Sequence, residues 1–117
     1  MAADQGGSAQ ATVLDRLAAT IRARRTAAAD TSYTRQLLDA GVTRCARKLG
    51  EEAVEVVIAS LEPDDEALKG EAADLIYHLL VLLEARNVSI DEVLATLEKR
   101  MGTSGVAEKA SRTRKEG

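Results

Sequence analysis

The sequence predicts an all-α fold: an antiparallel helical hairpin with flanking short helices, dimerising into a four-helix-bundle core. Three observations lead there. The 117 residues include no Phe, no Trp and two Tyr, so the 45% hydrophobic fraction is chiefly Ala, Leu, Val and Ile, side chains that suit helix packing better than a sheet core. Apolar residues recur at three- and four-residue spacing, and no segment reads as a strand. Pro63, the only proline, falls between the two longest periodic stretches.

The first helix begins near Thr12, carries Val13, Leu14, Leu17, Ala18 and Ile21 on its apolar side, and closes at Arg22, Arg24 and Arg25. A short second helix spans Ser32 to Ala40, capped by Thr31 or Ser32 and stopped by Gly41, which is free to adopt a left-handed backbone. The third runs from about Val42 to Leu61. Pro63, Asp64, Asp65 and Glu66 then open a fourth, because proline is tolerated in a first turn and acidic side chains there oppose the positive end of the helix dipole. It extends to about Arg86. Ser89 and Glu92 have capping-box spacing and start a fifth helix that ends near Met101 and Gly102. Residues 1–10 are expected to be a flexible extension, 11–101 the folded domain, and 102–117 a polar tail.

Between Ala72 and Leu83 the polar members are Asp74, Tyr77 and His78 alone. A helix apolar on nearly every face requires cover on all sides, and the other short helices of one small chain do not supply it. A homodimer is therefore expected.

Composition narrows the function. Sixteen basic and 19 acidic side chains are spread along the whole length, for a net charge of −3, which leaves no electrostatic footprint for a nucleic-acid polymer. The single Cys45 excludes an internal disulfide and a multi-thiolate zinc site. No stretch approaches the roughly 20 apolar residues of a membrane span, and no secretory signal is visible. A cytoplasmic protein is expected.

The informative region is Glu51-Glu52-x-x-Glu55 followed by Glu71-x-x-Asp74. Carboxylates three positions apart stand one turn apart on one helix face. If the chain doubles back at Pro63, residues equidistant from it stand at the same height. Glu55 and Glu71 are each eight positions away, and Glu52 and Asp74 each eleven, so the two pairs face each other across the hairpin. Apolar Leu49 and Val56 frame Glu52 along its own row. Crowding several carboxylates in a partly buried place costs several kcal/mol unless cations neutralise them. Oxygen donors without a Cys or His cluster select Mg²⁺, or Mn²⁺, and such ions commonly share phosphate oxygens with a substrate. The implied ligand is a polyphosphate.

These paired acids resemble the motif of the all-α, MazG-type nucleoside triphosphate pyrophosphatase superfamily. Further segments, namely Ser32-Tyr33-Thr34 with Leu37, Leu38 and Gly41, then Lys48-Leu49-Gly50-Glu51-Glu52, Asp74-Leu75-Ile76-Tyr77-His78, and Ser104-Gly105-Val106-Ala107-Glu108-Lys109-Ala110-Ser111-Arg112, are similar to the phosphoribosyl-ATP pyrophosphohydrolase family. The resemblance covers about Leu14 to Arg112. It implies the second step of histidine biosynthesis, in which phosphoribosyl-ATP and water give phosphoribosyl-AMP and pyrophosphate. It further implies Glu52, Glu55, Glu71 and Asp74 as metal ligands and Glu51, Glu52 and Glu55 as catalytic acids, with Glu51 either a further ligand or the base that orients water. Lys48, Tyr33, His78 and Arg112 become contacts to a small nucleotide substrate.

Plainer readings compete. The acids can form a solvent-facing stripe, Lys48 can pair with Glu51 or Glu52 along its own helix, and a lone His78 is more often a packing residue than a catalyst. Tyr33 can cap a small core, and Arg112 can belong to a mobile basic end. Two other functions share these features: a housekeeping pyrophosphatase of noncanonical nucleoside triphosphates, and a helical dimerisation module without activity.

Overall fold

A computed structural model describes residues 9–102 of the chain, and these form five α-helices: α1 (Ala9–Ala23), α2 (Tyr33–Ala40), α3 (Val42–Ser60), α4 (Asp65–Ala85) and α5 (Ile90–Met101). No strand occurs among the described residues. The all-α expectation holds, with three adjustments at element ends. Helix α1 starts at Ala9, ahead of Thr12, and it tightens into a 3₁₀ turn at Arg24–Thr26 that the periodicity does not announce. Pro63 stands outside α4, because Asp64 is the N-cap and accepts hydrogen bonds from the backbone N–H of Glu66 and Ala67. The tail from residue 103 onward, with Arg112, lies outside the described residues.

Local chemistry sets the boundaries. Ser32 Oγ accepts from Arg35 N–H at 3.1 Å to start α2, and Ser89 Oγ accepts from Glu92 N–H at 3.1 Å to start α5. Gly41 joins α2 to α3 with φ 97° and ψ 175°, a backbone region open essentially to glycine alone. At the end of α4, Asn87 takes φ 59°, Asn87 N–H bonds the Glu84 carbonyl and Val88 N–H bonds the Leu83 carbonyl. That pair of bonds is a Schellman cap, with asparagine where glycine is more usual.

The largest helix–helix contact is between α3 and α4, the antiparallel hairpin, with α1 and α2 also laid against α4. The buried core is Ile21, Leu37, Cys45, Leu80 and Val81, surrounded by Leu14, Leu17, Tyr77, Leu83 and Ile90. All of it lies toward the end of α4 remote from Pro63. Cys45 packs there as a small apolar residue, its Sγ donating to the Leu37 carbonyl, and burial pushes its thiol pKa up.

Toward Pro63 Ala59 is buried, but Val54, Val57 and Ile58 on α3, Leu61 at its C-cap and Ile76 on α4 are all exposed, Leu61 by 79%. Within Ala72–Leu83, only His78, Leu80 and Val81 are buried in the single chain.

Candidate active site

The hairpin carries the acids. On α3 the row that faces α4 runs through Cys45, Leu49, Glu52, Val56 and Ala59, each buried or half-buried, the i, i+3, i+4 progression of one helix face. Glu52 is the charged member of that apolar row. It meets Glu71 and Asp74 of α4: one carboxylate oxygen from each of the three lies within 4.8 Å of the others. Glu52 and Glu71 are half-buried and Asp74 is exposed.

Glu55 is not in that group. Three residues past Glu52 the helix has turned roughly 300°, which moves position 55 off the seam into solvent while Val56 takes the inward place. Its charge still reaches the others. The Glu71 carboxyl is held above its ordinary pKa, first by loss of water and then by the charges of Asp74, Glu55 and Glu52. The equidistance rule thus brings together the level pair Glu52 and Asp74, adds Glu71, and leaves Glu55 as an electrostatic neighbour.

Glu51 lies outside the trio. Its carboxylate is 3.2 Å from Lys48 Nζ, and this hydrogen bond is the main reason the Lys48 pKa is raised, with the nearby Tyr33 and Glu52 adding to it. So the i, i+3 pairing of Lys48 along its own helix exists, and the same ammonium faces the acid group.

His78, one turn beyond Asp74 on α4, is 6% exposed. Tyr77 meets it edge-on with ring centroids 4.9 Å apart and Tyr33 with centroids 6.1 Å apart. Burial lowers its pKa, an effect opposed by Glu52, Asp74 and Glu51 and reinforced by Lys48. His78 Nδ1 is fully buried and has no hydrogen-bond partner among the described residues. Tyr33 is half exposed, reaching from α2 toward the α3–α4 seam. Sequence reasoning quoted Thr34 and Tyr77 within its matching segments but gave them no role; their hydroxyls hydrogen-bond each other. The signal was a tyrosine within an otherwise apolar helix, whose hydroxyl must find a partner when buried.

The donor set suits a hard divalent cation. Oxygens bound to Mg²⁺ at about 2.1 Å in octahedral geometry stand about 3 Å apart when adjacent and about 4.2 Å apart when opposite, so the three carboxylates, already within 4.8 Å of one another, would draw together around a shared ion. The raised Glu71 pKa reports the same need for countercharge. Two clefts, of about 310 Å³ beside Arg25, Glu84 and Glu92 and about 220 Å³ beside Asp15, Ala18 and Ile90, lie away from the carboxylates.

A helical hairpin that gathers carboxylates from both arms into a cation-sized group is the architecture of the all-α nucleotide pyrophosphohydrolases. Residues 14–101 match the phosphoribosyl-ATP pyrophosphohydrolase family. A phosphoribosyl-ATP pyrophosphatase of Cereibacter sphaeroides (strain ATCC 17029 / ATH 2.4.9) is 56% identical over 101 residues, covering 86% of this chain and 98% of that one. Its counterpart in Erythrobacter litoralis (strain HTCC2594) is 59% identical over 99 residues, covering 85% and 95%. That of Rhodobacter capsulatus is 55% identical over 101 residues, covering 86% and 98%. The chain belongs to the phosphoribosyl-ATP pyrophosphohydrolase family.

Proposed function

We infer that this chain is a hydrolase that converts phosphoribosyl-ATP and water to phosphoribosyl-AMP and pyrophosphate, the second step of histidine biosynthesis. The observation that carries the reading is the convergence of Glu52, Glu71 and Asp74 within a chain that matches the family over residues 14–101. The working domain is 11–101.

Glu52, Glu71 and Asp74 would hold Mg²⁺, or Mn²⁺, and Glu55 would join them as a fourth ligand when a nucleotide binds. When bound, the cation supplies charge neutralisation for the polyphosphate and a Lewis-acid centre for its hydrolysis. The remaining work belongs to side chains. Lys48 offers a compact positive charge to a phosphate oxygen, and its tie to Glu51 fixes where that charge sits. Glu51, exposed and outside the trio, orients the attacking water and accepts its proton. Tyr33 and His78 line the side of the site toward α2 and contact the nucleoside end of the substrate, with Arg112 as a further contact to the substrate.

The protein works as a homodimer. Val54, Val57, Ile58, Leu61 and Ile76 give the hairpin an uncovered apolar face, and pairing two hairpins removes it from water as a four-helix core. No described helix is long and apolar enough to cross a membrane.

Incubation with phosphoribosyl-ATP and Mg²⁺ should release pyrophosphate stoichiometrically with phosphoribosyl-AMP. Release of orthophosphate, or equal turnover of unrelated nucleoside triphosphates, would overturn the assignment.

A further inference from the structure

We propose that the hydrogen bond between the Thr34 and Tyr77 hydroxyls is a positioning latch, which holds Tyr33 against His78 and thereby sets the substrate-binding wall of the site. The proposal rests on the reading of that site as the place where the nucleotide binds.

The bond joins α2 to α4 across 43 positions of sequence, and it is half-buried. Among the described residues no other side chain–side chain hydrogen bond links these two helices. Each of its partners is the chain neighbour of a ring in the wall: Thr34 follows Tyr33, and Tyr77 precedes His78. The Tyr77 ring also packs edge-on against His78, so one side chain both supports the imidazole from α4 and grips α2.

Helix α2 needs such a grip. It has eight residues, too few to be stable alone, and Leu37 is its one fully buried side chain. Leu37 and Leu38 hold it to the core by apolar contacts, which are non-directional, and Arg35, Gln36 and the Leu37 carbonyl tie it to the preceding loop and to α3. The Thr34 hydroxyl adds a directional bond to α4, because a hydrogen bond has a preferred angle and length. Rolling α2 would swing the half-exposed Tyr33 away from His78, to which it stands at 87°. Tyr33 also faces Lys48 closely enough to affect its charge. Side chains of three helices, Tyr33 of α2, Lys48 of α3 and His78 of α4, therefore meet beside Glu52 and Asp74 only while the latch is closed. Thr34 and Tyr77 touch no reacting atom and act through Tyr33.

Two kinds of variant test this. Tyr77→Phe keeps the ring on His78 and deletes the hydroxyl; Thr34→Val deletes the other partner; Thr34→Ser retains it. With wild-type pyrophosphate release measured alongside, Tyr77→Phe and Thr34→Val should each raise KM for phosphoribosyl-ATP about three- to tenfold, the fold-change of one neutral hydrogen bond. kcat should stay within about twofold, the double variant should be no worse than either single one, and Thr34→Ser should behave as wild type. Unmoved KM in both single variants, or additive losses in the double, would overturn the latch. A wild-type protein that releases no pyrophosphate overturns the functional reading instead. The latch then remains testable by NMR: the nuclear Overhauser contact between the Tyr33 ring and His78, the chain's one histidine, should vanish in Thr34→Val and persist in Thr34→Ser. Its survival in Thr34→Val would refute the proposal whatever the activity.

Discussion

Where α1 and α2 lie against the far half of α4, a set of core side chains is covered and the end of the helix is held by polar contacts. Ile21, Leu37, Leu80 and Val81 are almost fully buried, and Arg25 donates to the Glu84 carboxylate, the Glu84 carbonyl and Asn87 Oδ1 at the end of the helix. The half of the hairpin nearer Pro63 is the reverse. Val57 and Leu61 stand in water, and the carboxylates of Glu52, Glu71 and Asp74 face one another. Stability is thus lodged in one half, while reactivity and association draw on the other, which a single chain leaves unfinished.

The sharpest way to break that division is to change one side chain on each side of it. Glu71→Gln should lower turnover by about 10³-fold, since it removes a proposed ligand at the centre of the charge cluster. The metal-free protein should lose no stability by denaturant titration, because repulsion with Asp74, Glu55 and Glu52 is relieved. Leu80→Ala should do the opposite, costing about 3 kcal/mol of stability through the cavity it leaves while turnover per folded molecule is retained. A stable, fully active Leu80→Ala, or an unfolded Glu71→Gln, would show that the two halves are not separable.

A smaller effect is expected at the exposed face. Ile58→Glu should weaken self-association by at least about tenfold, because a charge cannot be buried unpaired at an apolar seam, with little loss of helix content. Sedimentation velocity at several concentrations measures it. An unshifted association curve would move the dimer seam off α3.

The acid site was legible in the sequence because it depends on two regularities that a linear chain displays: the helical repeat and the position of one proline. Glu52, Glu71 and Asp74 follow from those alone. Glu55 was placed too far inward because equidistance from Pro63 gives height along the hairpin and says nothing of rotation about the helix axis. The caps at Ser32 and Ser89 were readable from residue type, as was the stop at Gly41, while Asp64 was read as a first-turn acid and is the N-cap. The Asn87 cap and the Thr34–Tyr77 bond were not, since each depends on which helices meet in space. The 3₁₀ turn at Arg24–Thr26 escaped for the same reason: Arg25 ends there because Glu84 and Asn87 hold it.

The smallest expected effect is a pH dependence that joins the two halves at His78, which is buried like the core yet borders the acids. Its pKa lies below the ordinary 6.5, chiefly because burial disfavours the imidazolium. The groups facing it are Glu51, Glu52 and Lys48 of α3, Asp74 of its own helix, and the rings of Tyr33 and Tyr77. The unfolded chain therefore binds a proton at a higher pH than the folded one does. Stability from this residue is complete above 6.5 and is lost as pH falls from there through the lowered folded value. Metal-free wild type and His78→Gln, unfolded in urea from about pH 7.5 to about pH 5, should differ in slope by no more than one proton, with wild type the steeper. Equal slopes would mean that the acids fully offset the burial of the ring, making His78 part of the charged site rather than of the core.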